Sequence, residues 1–136
     1  MFYEQKFQNK EVFWVNALTS SPQSDIANAM VGGMLLERGF YKEAEEKYLK
    51  AISLHPRSKH YVNLSVLYLK TRRIDEAEQA LLKSLELSND NPVAYYNLAL
   101  IYRYKKEFEK AQEMKNWYIK TFNDTNKVSK MENINL

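Results

Sequence analysis

The sequence contains no cysteine. That excludes a disulfide framework, a thiolate nucleophile and a thiolate metal site, and it leaves the compartment open. Three glycines and three prolines in 136 residues are few, so long regular elements with short connections are expected. No stretch approaches the ~20 consecutive apolar residues of a membrane span. The opening MFYEQKFQNK carries Glu4 and lacks an apolar core, so it does not read as a secretory signal. Twenty basic against seventeen acidic side chains leave a net charge of +3, too small to point to nucleic acid.

A hydrophobic share of 45% and an aromatic share of 13% are enough to build a core, and the length suits about one domain. The dominant feature is recurrence. RGFYKEAEEKYLKAISLHP, from Arg38, returns as RRIDEAEQALLKSLEL from Arg72 and as KEFEKAQEMKNWYIKTF from Lys106. Ala44 to Ala77 is 33 positions and Ala77 to Ala111 is 34. In that register Val31, Gly32 and Leu35 match Leu64, Ser65 and Tyr68, then Leu98, Ala99 and Tyr102. Large, small and large at i, i+1, i+4 make one helical stripe whose small residue admits a close neighbour. Tyr41, Ile74 and Phe108 open a second helix in each unit, and Ala44, Tyr48 and Ala51 match Ala77, Leu81 and Ser84. Asn91 before Pro92 is a helix start signal, with Ser24 and Asp25 in the corresponding part earlier. Neither helix of such a pair buries its stripe alone, so the pairs must stack into a solenoid. The fold class expected is all-α.

These residues resemble the tetratricopeptide repeat (TPR) family, whose pattern has a period of about 34 residues. The resemblance implies a right-handed superhelix of antiparallel helix pairs, with repeats at 25–57, 58–91 and 92–122. Residues 1–24 then read as an N-terminal capping helix or half-repeat, with Trp14 in its aromatic position. The third repeat departs from the pattern, with Lys115 at the aromatic position and Tyr118 at a small one. Residues 123–136 read as a polar tail, frayed or forming a short capping helix.

Little chemistry is legible. His55 and His60 flank the turn between two units and read as exposed loop residues without a metal motif. Gly32-Gly33 lies in a helical stripe rather than a phosphate loop. Glu43, Glu45 and Glu46 crowd a helix start, where the macrodipole favours them. The expectation is no enzyme and no cofactor. Two basic clusters, KTRR and RYKK, fall at equivalent turns; Arg72, Arg73, Lys105 and Lys106 are expected to be solvated, either complementing the C-terminal ends of the first helices or forming a rim that steers acidic partners.

The TPR resemblance further implies that the first helices line a concave surface. Its ligand-facing positions fall in the first repeat on Ile26, Ala29, Met30, Gly33, Leu36 and Glu37. The later repeats offer Lys59, Val62, Asn63, Val66, Leu69 and Lys70, then Val93, Tyr96, Asn97, Leu100, Arg103 and Tyr104; all of these but Lys59 and Val93 are the ten-residue groove expected to hold a partner's peptide segment. The lysine-rich clamp that some TPR domains use for acidic tails is absent; Asn63 and Asn97 fall on an asparagine ladder. The partner expected is another protein, not nucleic acid. Trp117, Tyr118 and Phe122 suggest self-association through the C-terminal end. The alternative is an accessory domain of a larger membrane-bound glycan-transfer or secretion protein. A complete chain would be cytoplasmic; a piece would be extracytoplasmic or membrane-associated.

Overall fold

The computed structural model describes residues 2–122, with side chains described from Asn9 onward. Among the described residues there are seven helices and no strand: α1 (Phe2–Ser20), α2 (Asp25–Glu37), α3 (Tyr41–Leu54), α4 (Ser58–Lys70), α5 (Ile74–Leu87), α6 (Pro92–Tyr104) and α7 (Phe108–Phe122). The most extensive packing joins α2 to α3, α4 to α5 and α6 to α7, with each pair then resting on the next. This is an α-solenoid.

Local chemistry sets the helix bounds. Ser24 caps α2 by accepting from the Ala27 amide at 3.1 Å, and Asn91 caps α6 by accepting from Val93 at 3.0 Å, with Pro92 at the first helical position. The turn inside each pair is the same device three times. Gly39, Arg72 and Lys106 all sit in the left-handed region, at φ 82°, 60° and 61°. The next amide then reaches back five residues, Phe40 to Leu35, Arg73 to Tyr68 and Glu107 to Tyr102, at 2.8 to 2.9 Å. That pairing satisfies carbonyls left open at the helix end. Only the first turn spends a glycine on it.

The core is a chain of close approaches between small and large residues. A Cβ added at Gly32 would come within 2.9 Å of the Tyr48 ring, so glycine is what lets α2 and α3 meet there. Ser65 occupies that place in α4, and Leu81 the place of Tyr48; both are fully buried. The third pair solves the problem differently. Lys115 cannot fill the aromatic position, and the aromatic reappears one turn later as Tyr118, buried against Ala99 and Tyr95. Phe122 packs on both tyrosines, with ring centroids 5.2 Å from Tyr118 and 6.1 Å from Tyr95. This corrects the expectation of a sticky C-terminal cluster: Tyr118 is core, Phe122 is half-buried, and Trp117 alone of the three is open. The expected behaviour of residues 123–136 lies outside the described residues.

Candidate functional site

The first helices carry the candidate groove. Ala29, Met30, Gly33 and Glu37 of α2 face Lys59 and Asn63 of α4 across a pocket of about 220 Å³. Lys10 and Glu11 of α1 close one side, and Met34 and Tyr48 complete the lining. The two methionines give an apolar, adaptable lining. Lys59 and the Asn63 carboxamide make no hydrogen bond or ion pair with described residues, so their donors and acceptor are available to a ligand. Burial, helped by the nearby charge of Glu37, pushes the Tyr48 phenol up to about 12, so it remains a hydroxyl at neutral pH.

The expected groove residues divide. Asn63 lines the pocket. Val62, in contrast, is 6% exposed and belongs to the main core, with Val66 and Leu69 packed against it. The apolar stripe of α4 is therefore not spare to the fold, as its spacing suggested. Neighbouring helices cover it because consecutive first helices also touch, α2 against α4. Asn97 is buried and Tyr96 leans on the second core cluster. Leu100 and Arg103 are half-buried, while Lys70 and Tyr104 (62% exposed) stay open. Of the ten expected residues only Asn63 lines the pocket, which draws instead on Ala29, Met30, Gly33 and Glu37 of the preceding repeat; Lys10, Glu11, Met34 and Tyr48 were missed. A pocket wall made by second helices gives no periodic signal on the first ones.

The basic rim also divides. Arg72 and Lys106 are exposed at their turns, as expected. Arg73 and Lys105 are engaged, which corrects the solvated rim. Arg73 Nη1 donates to Glu45 Oε2 at 2.7 Å, Nε donates to Glu76 Oε1 at 2.8 Å, and the guanidinium lies 4.3 Å from the Tyr68 ring centroid. Lys105 Nζ donates to Asp75 at 2.5 Å and to Glu78 at 2.6 Å. Hydrogen bonds donated to these carboxylates push both cations above their ordinary values, with Glu76 first for Arg73 and Asp75 first for Lys105. Arg38 pairs with Glu11 in the same way. Glu11, Glu45 and Glu78 are one position of the period, so each second helix presents an acid to the following repeat's turn.

His60 is a second correction. It lies within α4 at 4% exposure, and its Nε2 is 2.7 Å from Asp25 Oδ2. Arg57 Nε donates to the same carboxylate oxygen at 2.6 Å. An ionised carboxylate only accepts, so Nε2 carries the proton. Partial burial raises the Asp25 carboxyl, but the hydrogen bonds and charges of Arg57 and His60 outweigh it and hold it at about 2. The cluster ties α2 to α4. Among the described residues no three potential metal ligands converge, and no helix is long and apolar enough to cross a membrane.

A repeated pair of helices stacked on its neighbours, with a groove along the first helices, is the architecture of a TPR array. Tetratricopeptide repeat models match residues 32–92 and 80–113, and the chain belongs to that family. It is 40% identical over 67 residues to mouse (Mus musculus) protein O-mannosyl-transferase TMTC3, covering 48% of this chain and 7% of that protein. It is 33% identical over 82 residues to TPR repeat-containing protein MJ1428 of Methanocaldococcus jannaschii, covering 60% and 14%. The chain thus spans a small fraction of either relative. Among solved structures, the Cut9-Hcn1 hetero-tetramer of the APC/C aligns with a TM-score of 0.79 at 18% identity, over 88% of this chain and 24% of that one. The first TPR of Spaghetti (RPAP3), bound to an HSP90 peptide, aligns with a TM-score of 0.72 at 18% identity, over 81% and 91%. These likenesses are of fold.

Proposed function

We propose that the chain is a non-enzymatic protein-interaction module that holds an extended peptide segment of a partner protein along its first helices. The observation carrying this is the pocket between α2 and α4, apolar at Met30 and Met34 and edged by Lys59 and Asn63, which are unpaired among the described residues. A backbone running past Asn63 would find both a donor and an acceptor, and an apolar side chain would lie on the methionines. The fold neighbour that holds an HSP90 peptide supports a peptide as the kind of ligand. Amide chemical-shift mapping with peptides selected from a displayed library of unstructured sequences tests the reading. Shifts centred on Gly33 and Asn63 are expected; shifts confined to α7 would refute it.

A second reading, an accessory module within a larger glycan-transfer protein, is supported by the matches to mouse and human protein O-mannosyl-transferase TMTC3. It differs in context rather than in the groove. The open reading frame around the natural gene decides it.

A further inference from the structure

Tyr48 belongs to a second helix, yet it lines the pocket between two first helices. Two consecutive glycines let it through. Gly32 gives the ring room to cross α2, since a Cβ there would meet Cδ1 and Cε1 at 2.9 Å. Gly33 then leaves the phenol oxygen uncovered: a Cβ there would already stand 3.6 Å from it, and a longer side chain would lie over it. The later repeats have no such window. They carry Val66 and Leu100 at the Gly33 position, both half-buried, and Leu81 and Lys115 at the Tyr48 position. Tyr48 as a whole is 2% exposed, and its hydroxyl makes no hydrogen bond with a described residue. Buried polar groups are ordinarily paired, so this one is free to meet a ligand.

The charges around the hydroxyl differ in availability. Glu11 is taken by Arg38. Glu37 has no hydrogen bond or ion pair with a described residue, and after burial its charge is the second cause that keeps the phenol protonated. Lys10 and Lys59 are exposed and exert no opposing pull on that phenol. The Tyr48 side of the pocket therefore offers two acceptors, a hydroxyl and a carboxylate, beside the thioethers of Met30 and Met34.

We infer that this pocket takes one lysine or arginine side chain of the partner's peptide, with its aliphatic stem on Met30 and Met34 and its cation between the Tyr48 hydroxyl and the Glu37 carboxylate. The inference rests on the peptide reading above and names the side chain that the pocket reads. Long basic side chains suit it because stem and head are satisfied by different surfaces. The head gains hydrogen bonds assisted by charge. A wholly apolar side chain would leave the hydroxyl unpaired, and an acidic one would meet Glu37. A space of about 220 Å³ admits a single long side chain, while Asn63 remains for the backbone.

The test uses extended peptides selected from a displayed library on the full chain, followed by calorimetry and amide shifts. Lysine or arginine is expected to be enriched at one position. Norleucine there, which keeps the stem and removes the charge, should weaken binding by about tenfold or more. Glu37→Gln should abolish the preference for the cation. Tyr48→Phe should weaken binding by about threefold or more with an unchanged melting curve, because the hydroxyl has no partner among the described residues. Norleucine peptides that bind as well as their parents, with shifts still centred on Gly33 and Asn63, would overturn this inference and leave the peptide reading standing. Enrichment of Asp or Glu at that position would also overturn it, since the pocket would then be read through Lys10 and Lys59. If no peptide is selected, both readings fall. A shift of the Gly33 amide in the free chain on Lys127→Met and Lys130→Met would overturn the assignment to a partner, because the occupant would then be the chain's own residues 123–136.

Discussion

Arg73 reaches across a repeat boundary to Glu45, with Nη1 2.7 Å from Oε2, while the same guanidinium lies over the ring of Tyr68. Lys105 reaches Glu78 across the next boundary, at 2.6 Å. Cations that look like a steering rim in the sequence therefore also tie the stack together. In a double-mutant cycle Arg73 and Glu45 should couple by about 0.5–1 kcal/mol, the upper part of the range for partly exposed pairs. Arg73→Glu should lower the thermal midpoint while Arg72→Glu leaves it nearly unchanged. Equal effects at both positions would show that Arg73 is no more than a solvated charge.

Arg72 and Lys106 hold left-handed backbone conformations that Gly39 adopts at the equivalent turn. A side chain there is strained, and both residues are exposed, so little is lost by removing them. Arg72→Gly and Lys106→Gly should each stabilise the fold by about 0.5–1 kcal/mol, read by chemical denaturation. Gly39→Ala should destabilise by a similar amount.

Gly32 and Tyr48 form a matched pair. Gly32→Ala places a methyl 2.9 Å from the buried Tyr48 ring, and overpacking of this kind costs about 1–3 kcal/mol. Adding Tyr48→Leu should recover part of that loss, because it approximates the Ser65 and Leu81 combination of the second pair. A double variant no better than the single would mean that the contact is not what limits Gly32.

Asp25 gives the fold a pH dependence. Its carboxyl sits at about 2 when folded, below the ordinary 3.8, so its stabilisation is present above about pH 4 and lost as pH falls toward 2. Wild type should lose about 1–2 kcal/mol over that window through this group. Asp25→Asn should be less stable at pH 7 and show a flatter profile below pH 4.

The helix pairs were legible because their information is local and periodic. Tyr41, Ile74 and Phe108 open second helices as read, and Asn91 with Pro92 starts α6. What escaped was contact between distant positions. His60 reads as a loop residue until Asp25, 35 positions earlier, is brought against it. Val62 reads as spare because the period of one helix does not reveal that α2 also leans on α4. The shift from Lys115 to Tyr118 is visible as a departure, but that Tyr118 repairs the same contact depends on Ala99 lying beneath it. The pocket was partly legible: Ala29, Met30, Gly33, Glu37, Lys59 and Asn63 fall at groove positions, whereas Lys10, Glu11 and Tyr48 arrive from second helices.

The most direct test of the interaction-module account is calorimetric titration of library-selected extended peptides into wild type and the Lys59→Ala, Asn63→Ala double variant. Both side chains are at least partly open to solvent, so the melting temperature should hold. The account predicts a loss of affinity of about tenfold or more, the size expected when hydrogen-bonding anchors in a groove are removed. Peptides that bind both proteins equally well would contradict it.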